Sequence, residues 1–177
     1  MHDIRQEVTP LPKRHSIRMP GYDYASNAKY FVTICCAERN NGLGIVVPSE
    51  GDTDGWCVRH NALGRVVVEE INKIPARFRD DVTVDGFIVM PDHIHAMISI
   101  NKEGHCRLAV IIGGLKSIVS NRHLRMCKQT GQSYEPVWQR NYYEHIVRDR
   151  EEFNNILRYM YENPKRWAAK HNLADVG

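Results

Sequence analysis

The chain has 177 residues, 42% hydrophobic and 25% charged, with a formal net charge of +3. That length predicts one domain with a real core, and no apolar run is long enough to cross a bilayer; no signal-peptide pattern opens the chain. The five cysteines, Cys35, Cys36, Cys57, Cys106 and Cys127, are odd in number and form no C-x-x-C pair, which points to free thiols in a reducing cytoplasm and excludes a disulfide frame or zinc ribbon.

Charge distribution says more than net charge. No acidic residue falls between Gly104 and Tyr134, a stretch that carries Arg107, Lys116, Arg122, Arg125 and Lys128. Val8 to Tyr22 also lacks acids and holds Lys13, Arg14 and Arg18. One-sign clustering suits a phosphate backbone. On charge alone, a solvated helix face explains it equally well.

In chain order, residues 1–20 read as a basic, weakly ordered arm closed by the turn signal Pro20-Gly21. Tyr30 to Cys36 is β-branched and aromatic, a first strand. Gly44–Val47 and Trp56–Arg59 flank a Gly- and Asp-rich stretch and predict a small hairpin. Asn61 is a candidate N-cap; behind it Leu63, Val66, Val67, Ile71 and Ile74 recur at helical spacing up to Pro75. Val82–Met90 is a second strand and His93–Ile100 a third. The stripe Leu108, Ile111, Ile112, Leu115, Ile118 and Val119 predicts a second helix to about Met126, with Gly113-Gly114 inside it. Tyr142–Arg148 is a fourth strand. Asp149 caps a third helix expected to stop at Asn163, because a residue before proline is pushed away from the helical region. The order β-α-β-β-α-β plus one helix predicts an α+β, ferredoxin-like (RRM-like) split β-α-β antiparallel sheet. Its helices lie on one face, and the extra C-terminal helix is placed to cover the other.

The chemistry-bearing stretch is Met90-Pro91-Asp92-His93-Ile94-His95. In a strand, residues i and i+2 share a face, so His93 and His95 project side by side while Ile94, Ala96, Ile98 and Ile100 enter the core. Two imidazoles on a rigid strand are half of a divalent-metal site; an ordinary surface pair is the competing reading of the string alone. On the last helix, Phe153, Ile156, Leu157 and Met160 form the core stripe. Tyr159 and Asn163 lie together on one edge of it, about 40° apart, with Tyr161 on the opposite edge. Tyr159 can act as a nucleophile and Asn163 can offer an amide oxygen to a metal; taken alone, a tyrosine packing at the core edge is the simpler account.

The string Met90–His95 resembles the motif of the single-tyrosine HUH transposases, U being a hydrophobic residue. Gly21-Tyr22-Asp23-Tyr24 with Tyr30–Cys35 looks like their N-terminal strand. Trp138–Arg148 and Tyr159-Met160-Tyr161-Glu162-Asn163-Pro164 look like their C-terminal signature. The resemblance covers residues 21–167 as one catalytic domain, leaving 168–177 as a tail, and is nearest to the IS200-like branch that includes transposases associated with repetitive extragenic palindromes (REP). It departs at Asp92, where the family usually has Asn.

The resemblance implies that His93, His95 and Asn163 hold Mg²⁺ or Mn²⁺. It implies that Tyr159 cleaves single-stranded DNA near a hairpin through a 5′-phosphotyrosine, and that Lys13, Arg14, Arg18, Lys116, Arg122, Arg125 and Arg140 grip the DNA. A hairpin-binding protein of this fold without transposition, and a metal-dependent hydrolase using water, are the alternatives. In some relatives the tyrosine helix serves a partner's histidines, so a homodimer stays open; no membrane partner is implied.

Overall fold

In the computed structural model, residues 28–37, 42–50, 55–79, 81–101 and 106–173 are described. The N-terminal arm with Lys13, Arg14 and Arg18, and the Gly21–Tyr24 string, lie outside them. Six strands and four helices run in the order β1 (Ala28–Cys35), β2 (Gly44–Pro48), β3 (Trp56–His60), α1 (Ala62–Asn72), α2 (Ile74–Arg77), β4 (Val82–Val89), β5 (His93–Ile100), α3 (Leu108–Thr130), β6 (Tyr143–Val147) and α4 (Arg150–Lys170). The sheet order is β4-β5-β1-β6, with β2-β3 a separate two-stranded hairpin inserted between β1 and α1. Every pairing is antiparallel. This is the expected ferredoxin-like sheet, its two central strands being β1 and β5.

One face is the main core. Tyr30, Val32 and Ile34 of β1 and Ile94, Ala96, Ile98 and Ile100 of β5 point into it, against Val67 and Ile71 of α1 and Leu108, Ile111, Ile112, Leu115 and Val119 of α3. The alternation of β1 and β5 is therefore one of direction. Burial of β5 does not alternate, because Met97 and Ser99 on its other face are 0% and 3% exposed. What covers them is α4. A Cβ on Gly86 of β4 would stand 2.9 Å from Leu157 Cδ2, so the glycine lets the helix approach the sheet.

Two helix ends differ from expectation. Helix α3 continues past Met126 to Thr130 and stops at Gly131, whose φ of 70° is the left-handed conformation glycine tolerates. Helix α4 does not stop at Asn163: it runs through Pro164 to Lys170. An interior proline forfeits one hydrogen bond and costs about 3 kcal/mol. Burial beyond it offsets that cost, since Trp167, Ala168 and Leu173 pack with Val46, Trp56, Val58, Ile88 and Met90 in a second apolar cluster. The inserted hairpin thus provides the surface that keeps α4 helical after its proline.

At the start of α1 the Asn61 side chain accepts from the Gly64 amide at 2.8 Å, and a Cβ on Gly64 would meet the Leu43 carbonyl oxygen at 1.9 Å. A backbone oxygen cannot rotate aside. Gly64→Ala is expected to lower unfolding free energy by about 1–3 kcal/mol, the range of overpacking; a urea midpoint equal to wild type would show that α1 slides without cost.

Helices α1 and α3 are joined by an ionic cluster. Glu70, 3% exposed, accepts from Arg122 at 2.7 Å, from Lys73 at 3.3 Å and from Arg77. Arg122 also donates to Glu69 at 2.6 Å. Burial alone would raise the Glu70 carboxyl, but the hydrogen bonds from Arg122, Arg77 and Lys73 bring it below its ordinary value of 4.5. A depressed native value means that the unfolded chain binds the proton first. The stabilisation is therefore complete above about pH 4.5 and is lost as pH falls through the native value. Glu70→Gln is expected to flatten this part of the acid side of a stability–pH curve; an identical curve would place the acid sensitivity elsewhere.

Candidate active site

His93 and His95 leave β5 on the face that α4 covers, opposite Cys35 and Thr33 of β1 in the strand register. The two Nε2 atoms converge to 3.1 Å. Each ring has a partner at its other nitrogen: Asp92 Oδ1 lies 2.5 Å from His93 Nδ1, and Thr33 Oγ1 lies 2.9 Å from His95 Nδ1. Asp92 can only accept when ionised, so it fixes His93 with its proton on Nδ1; Thr33 can accept from His95 in the same way. Both Nε2 lone pairs are then free toward the cleft. Burial first, and the neighbouring His93 second, push the His95 imidazole down to about 3, which keeps it neutral as a ligand must be.

Helix α4 closes the other side. Tyr159, 40% exposed, lies with its ring centroid 5.6 Å from that of His95 and 6.4 Å from Phe31. The Arg166 guanidinium carbon is 5.4 Å from the Tyr159 ring centre. Asn163, one turn on, is 7% exposed, and its Nδ2 is buried without a hydrogen-bond partner. Asp92, His93, His95, Tyr159 and Asn163 all line one cleft of about 370 Å³. A second cleft of about 480 Å³, at the N-terminal end of α4, also borders Tyr159. The other tyrosines following β5 do not line the first cleft: Tyr142 packs against the main core, and Tyr134, Tyr143 and Tyr161 are 40%, 56% and 71% exposed elsewhere. Burial, then Asp92 and Cys35, push the Cys36 thiol up to about 12, which leaves it neutral and unreactive.

The two imidazoles could hold a divalent cation, with oxygen donors completing its shell. Octahedral Mg²⁺ takes ligands at about 2.0–2.1 Å, so two neighbouring ligands at a right angle lie about 3.0 Å apart, close to the separation of the two Nε2 atoms. Among the described residues no group of three His, Cys, Asp or Glu side chains gathers to hold a metal. Of the cleft's remaining oxygen donors, one is the Asn163 amide. The Asn163 Nδ2, buried without a hydrogen-bond partner, could be the amide oxygen after a flip, which would make it a candidate third ligand.

The basic residues divide. Lys116 Nζ donates to the carbonyls of Gln139 at 2.7 Å and Arg140 at 2.9 Å, and Arg122 is held by Glu69 and Glu70. Both expected phosphate contacts are thus committed to holding the fold. Arg125 and Arg140 are exposed. The cleft residues not singled out from sequence are Thr33 and Cys35 on β1 and, on α4, Arg166, Trp167 and Lys170. With Tyr159 and Asn163 those on α4 recur at i, i+4, i+7, i+8 and i+11, one face of a single helix. Ending that helix at Pro164 hides the pattern.

A four-stranded antiparallel sheet presenting paired histidines to a tyrosine on a covering helix defines the class: an α+β protein with a ferredoxin-like sheet. The family model for IS200-like transposases matches residues 56–163, and the chain belongs to that family. It is 32% identical over 169 residues to an uncharacterized protein of Haemophilus influenzae, covering 87% of this chain and 89% of that one. It is 30% identical over 93 residues, half of each chain, to another Haemophilus influenzae protein, provisionally described as a REP-associated tyrosine transposase. A solved REP-associated tyrosine transposase bound to a REP hairpin shares the fold, with a TM-score of 0.57 at 17% identity, covering 84% of this chain and 74% of that one. No helix among the described residues is long and apolar enough to cross a membrane.

Proposed function

We propose that this transposase-family protein cleaves and rejoins single-stranded DNA beside a hairpin, with Tyr159 as nucleophile. The observation that carries the reading is the meeting of Tyr159 with the two converging Nε2 atoms in one cleft of one chain. His93, His95 and Asn163 would hold Mg²⁺ or Mn²⁺. When bound, the cation neutralises phosphate charge and makes the phosphorus more electrophilic. A tyrosine with an ordinary pKa of about 10 needs that help at neutral pH.

The chain's own residues supply the rest. As the Tyr159 Oη–phosphorus bond forms, the bond from phosphorus to the 3′-oxygen breaks. The phenolic proton passes to water, which reaches the partly exposed ring, and the departing 3′-oxygen takes a proton from water. Arg166, beside the ring, faces the phosphate charge placed on Tyr159. The phosphotyrosyl ester conserves the broken linkage, so a 3′-hydroxyl attacking it rejoins strands without ATP. The tyrosine serves the histidines of its own chain. Arg125 and Arg140 contact flanking DNA, together with Lys13, Arg14 and Arg18 of the arm. The hairpin in the solved relative supports a hairpin as the recognition element, and among the described residues no third acidic or histidine ligand joins the two imidazoles as a zinc hydrolase would use.

The test is a labelled hairpin with a single-stranded extension, incubated with the full chain and Mg²⁺ or Mn²⁺. A denaturation-resistant protein–DNA adduct is expected. Hairpin binding without adduct or nicking would leave a DNA-binding protein, and nicking without adduct would leave a hydrolase.

A further inference from the structure

The half of α4 beyond Pro164 carries a feature that strand cleavage at Tyr159 does not require. Trp167 and Lys170 line the cleft with Arg166. The Trp167 ring centroid lies 6.2 Å from that of His93. On the indole, His171 is stacked at 4.2 Å with planes 21° apart, and the His171 Nδ1 donates to the Trp167 carbonyl at 2.9 Å. The indole is thus held in place by its own helix.

Trp167 packs against the second apolar cluster with part of its ring and also lines the cleft of the paired imidazoles. The tryptophan is only partly buried and leaves aromatic surface in a cleft that also contains the paired imidazoles. Of its flanking cations, Arg166 is tied to Glu162 at 2.8 Å in an exposed pair, and Lys170 is exposed. Trp167 shares its cleft with both cations, and an aromatic ring with cations nearby is how single-stranded nucleic acid is held without regard to sequence: a base stacks on the ring, and phosphates meet the cations.

We propose that Trp167, flanked by Arg166 and Lys170, is a subsite for a nucleotide adjoining the scissile phosphate. It takes the base by stacking and the neighbouring phosphate by charge. The subsite rests on the DNA-cleavage reading and adds a function to it: an unpaired, stacked base next to the reacting phosphate sets the strand across the histidines and demands single-stranded DNA at that point. A duplex, whose bases are already stacked on each other, cannot offer one.

The probes are a hairpin with an oligothymidylate tail, the same hairpin with an abasic tail of equal length, and the hairpin without a tail. Fluorescence anisotropy with the full-length protein reads their affinities. Wild type is expected to prefer the thymidylate tail to the abasic tail by roughly tenfold, within the range of base–aromatic stacking. Trp167→Leu keeps apolar bulk and should erase the preference while affinity for the tailless hairpin stays. Trp167→Phe should retain most of the preference. Lys170→Gln, at an exposed position that folding does not need, should weaken both tailed probes equally and lower their salt slope by about 0.7, one single-strand phosphate contact.

Adduct formation together with an undiminished base preference in Trp167→Leu overturns the subsite and leaves the cleavage reading standing. Loss of the preference in a folded Trp167→Phe, or an unchanged slope in Lys170→Gln, also overturns it. Absence of DNA binding and of adduct in wild type overturns both.

Discussion

His93→Ala and His95→Ala are each expected to reduce adduct formation by roughly a thousandfold, the several kcal/mol that a cation contributes to phosphoryl transfer, while hairpin affinity stays near wild type. The two Nε2 atoms 3.1 Å apart face one position, so losing either leaves a single imidazole, too weak to hold Mg²⁺ against water. On the proposed reading, hairpin contacts come from Arg125, Arg140 and the N-terminal arm, outside the cleft, and do not pass through this position. His95 is the more delicate site: at 6% exposure its removal opens a hole between Phe31, Thr33 and Tyr159. A thermal melt must accompany it, whereas the more accessible His93 tests the chemistry with little packing loss. Manganese affinity, read by the electron paramagnetic resonance of free Mn²⁺, separates a missing ligand from a disturbed fold. Either variant cleaving at the wild-type rate sinks the metal assignment.

The sheet was legible because its strands carry β-branched or period-two signals and two of the helices begin at a capping residue: Asn61 and Asp149 accept from the Gly64 and Glu152 amides. That the histidines share a face also follows from the period of a strand. What a linear string does not contain is who lies across from whom. Thr33 orients His95 from another strand, 62 positions away, and nothing in the residues around Thr33 marks it. Charge clustering along the chain leaves the spatial partners unseen for the same reason. Lys116 and Arg122 belong to an acid-free stretch, yet their partners are main-chain carbonyls and glutamates on other elements. An acid-free window says nothing about acids brought in by folding.

Pro164 shows a local rule overridden by packing. The restriction on the residue before proline is a preference of a few kcal/mol at most, and the hairpin β2–β3 offers Trp167 and Ala168 an apolar surface that outweighs it. Had α4 ended at Asn163, the cleft would lack its wall of Arg166, Trp167 and Lys170. The hairpin, an insertion relative to the simple β-α-β-β-α-β order, is thereby tied to the active site through the helix it supports.

Tyr159→Phe is expected to abolish the covalent adduct outright while leaving fold, metal affinity and hairpin binding unchanged. The substitution removes one oxygen from a ring whose contacts with Phe31 and His95 are made by the ring itself, and among the described residues no hydrogen bond of the fold depends on the hydroxyl. No other described tyrosine after β5 can substitute. Tyr161 is two residues on, about 200° around the helix, and 71% exposed. Tyr143 pairs with Thr33 across strands β6 and β1, but it is fixed in a strand and 56% exposed outside the cleft. Tyr142 is turned to the main core. A tyrosine on a helix has a further advantage: α4 follows β6 after only Arg148 and Asp149, and swinging about that connection would carry a phosphotyrosine off the histidines and admit an incoming 3′-hydroxyl. Tyr161→Phe should therefore cleave and rejoin as wild type does. Peptide mapping of the trapped adduct is the decisive measurement, because a nucleotide found on any tyrosine but Tyr159 removes the nucleophile from this cleft, and with it the reason for pairing Asn163 with the histidines.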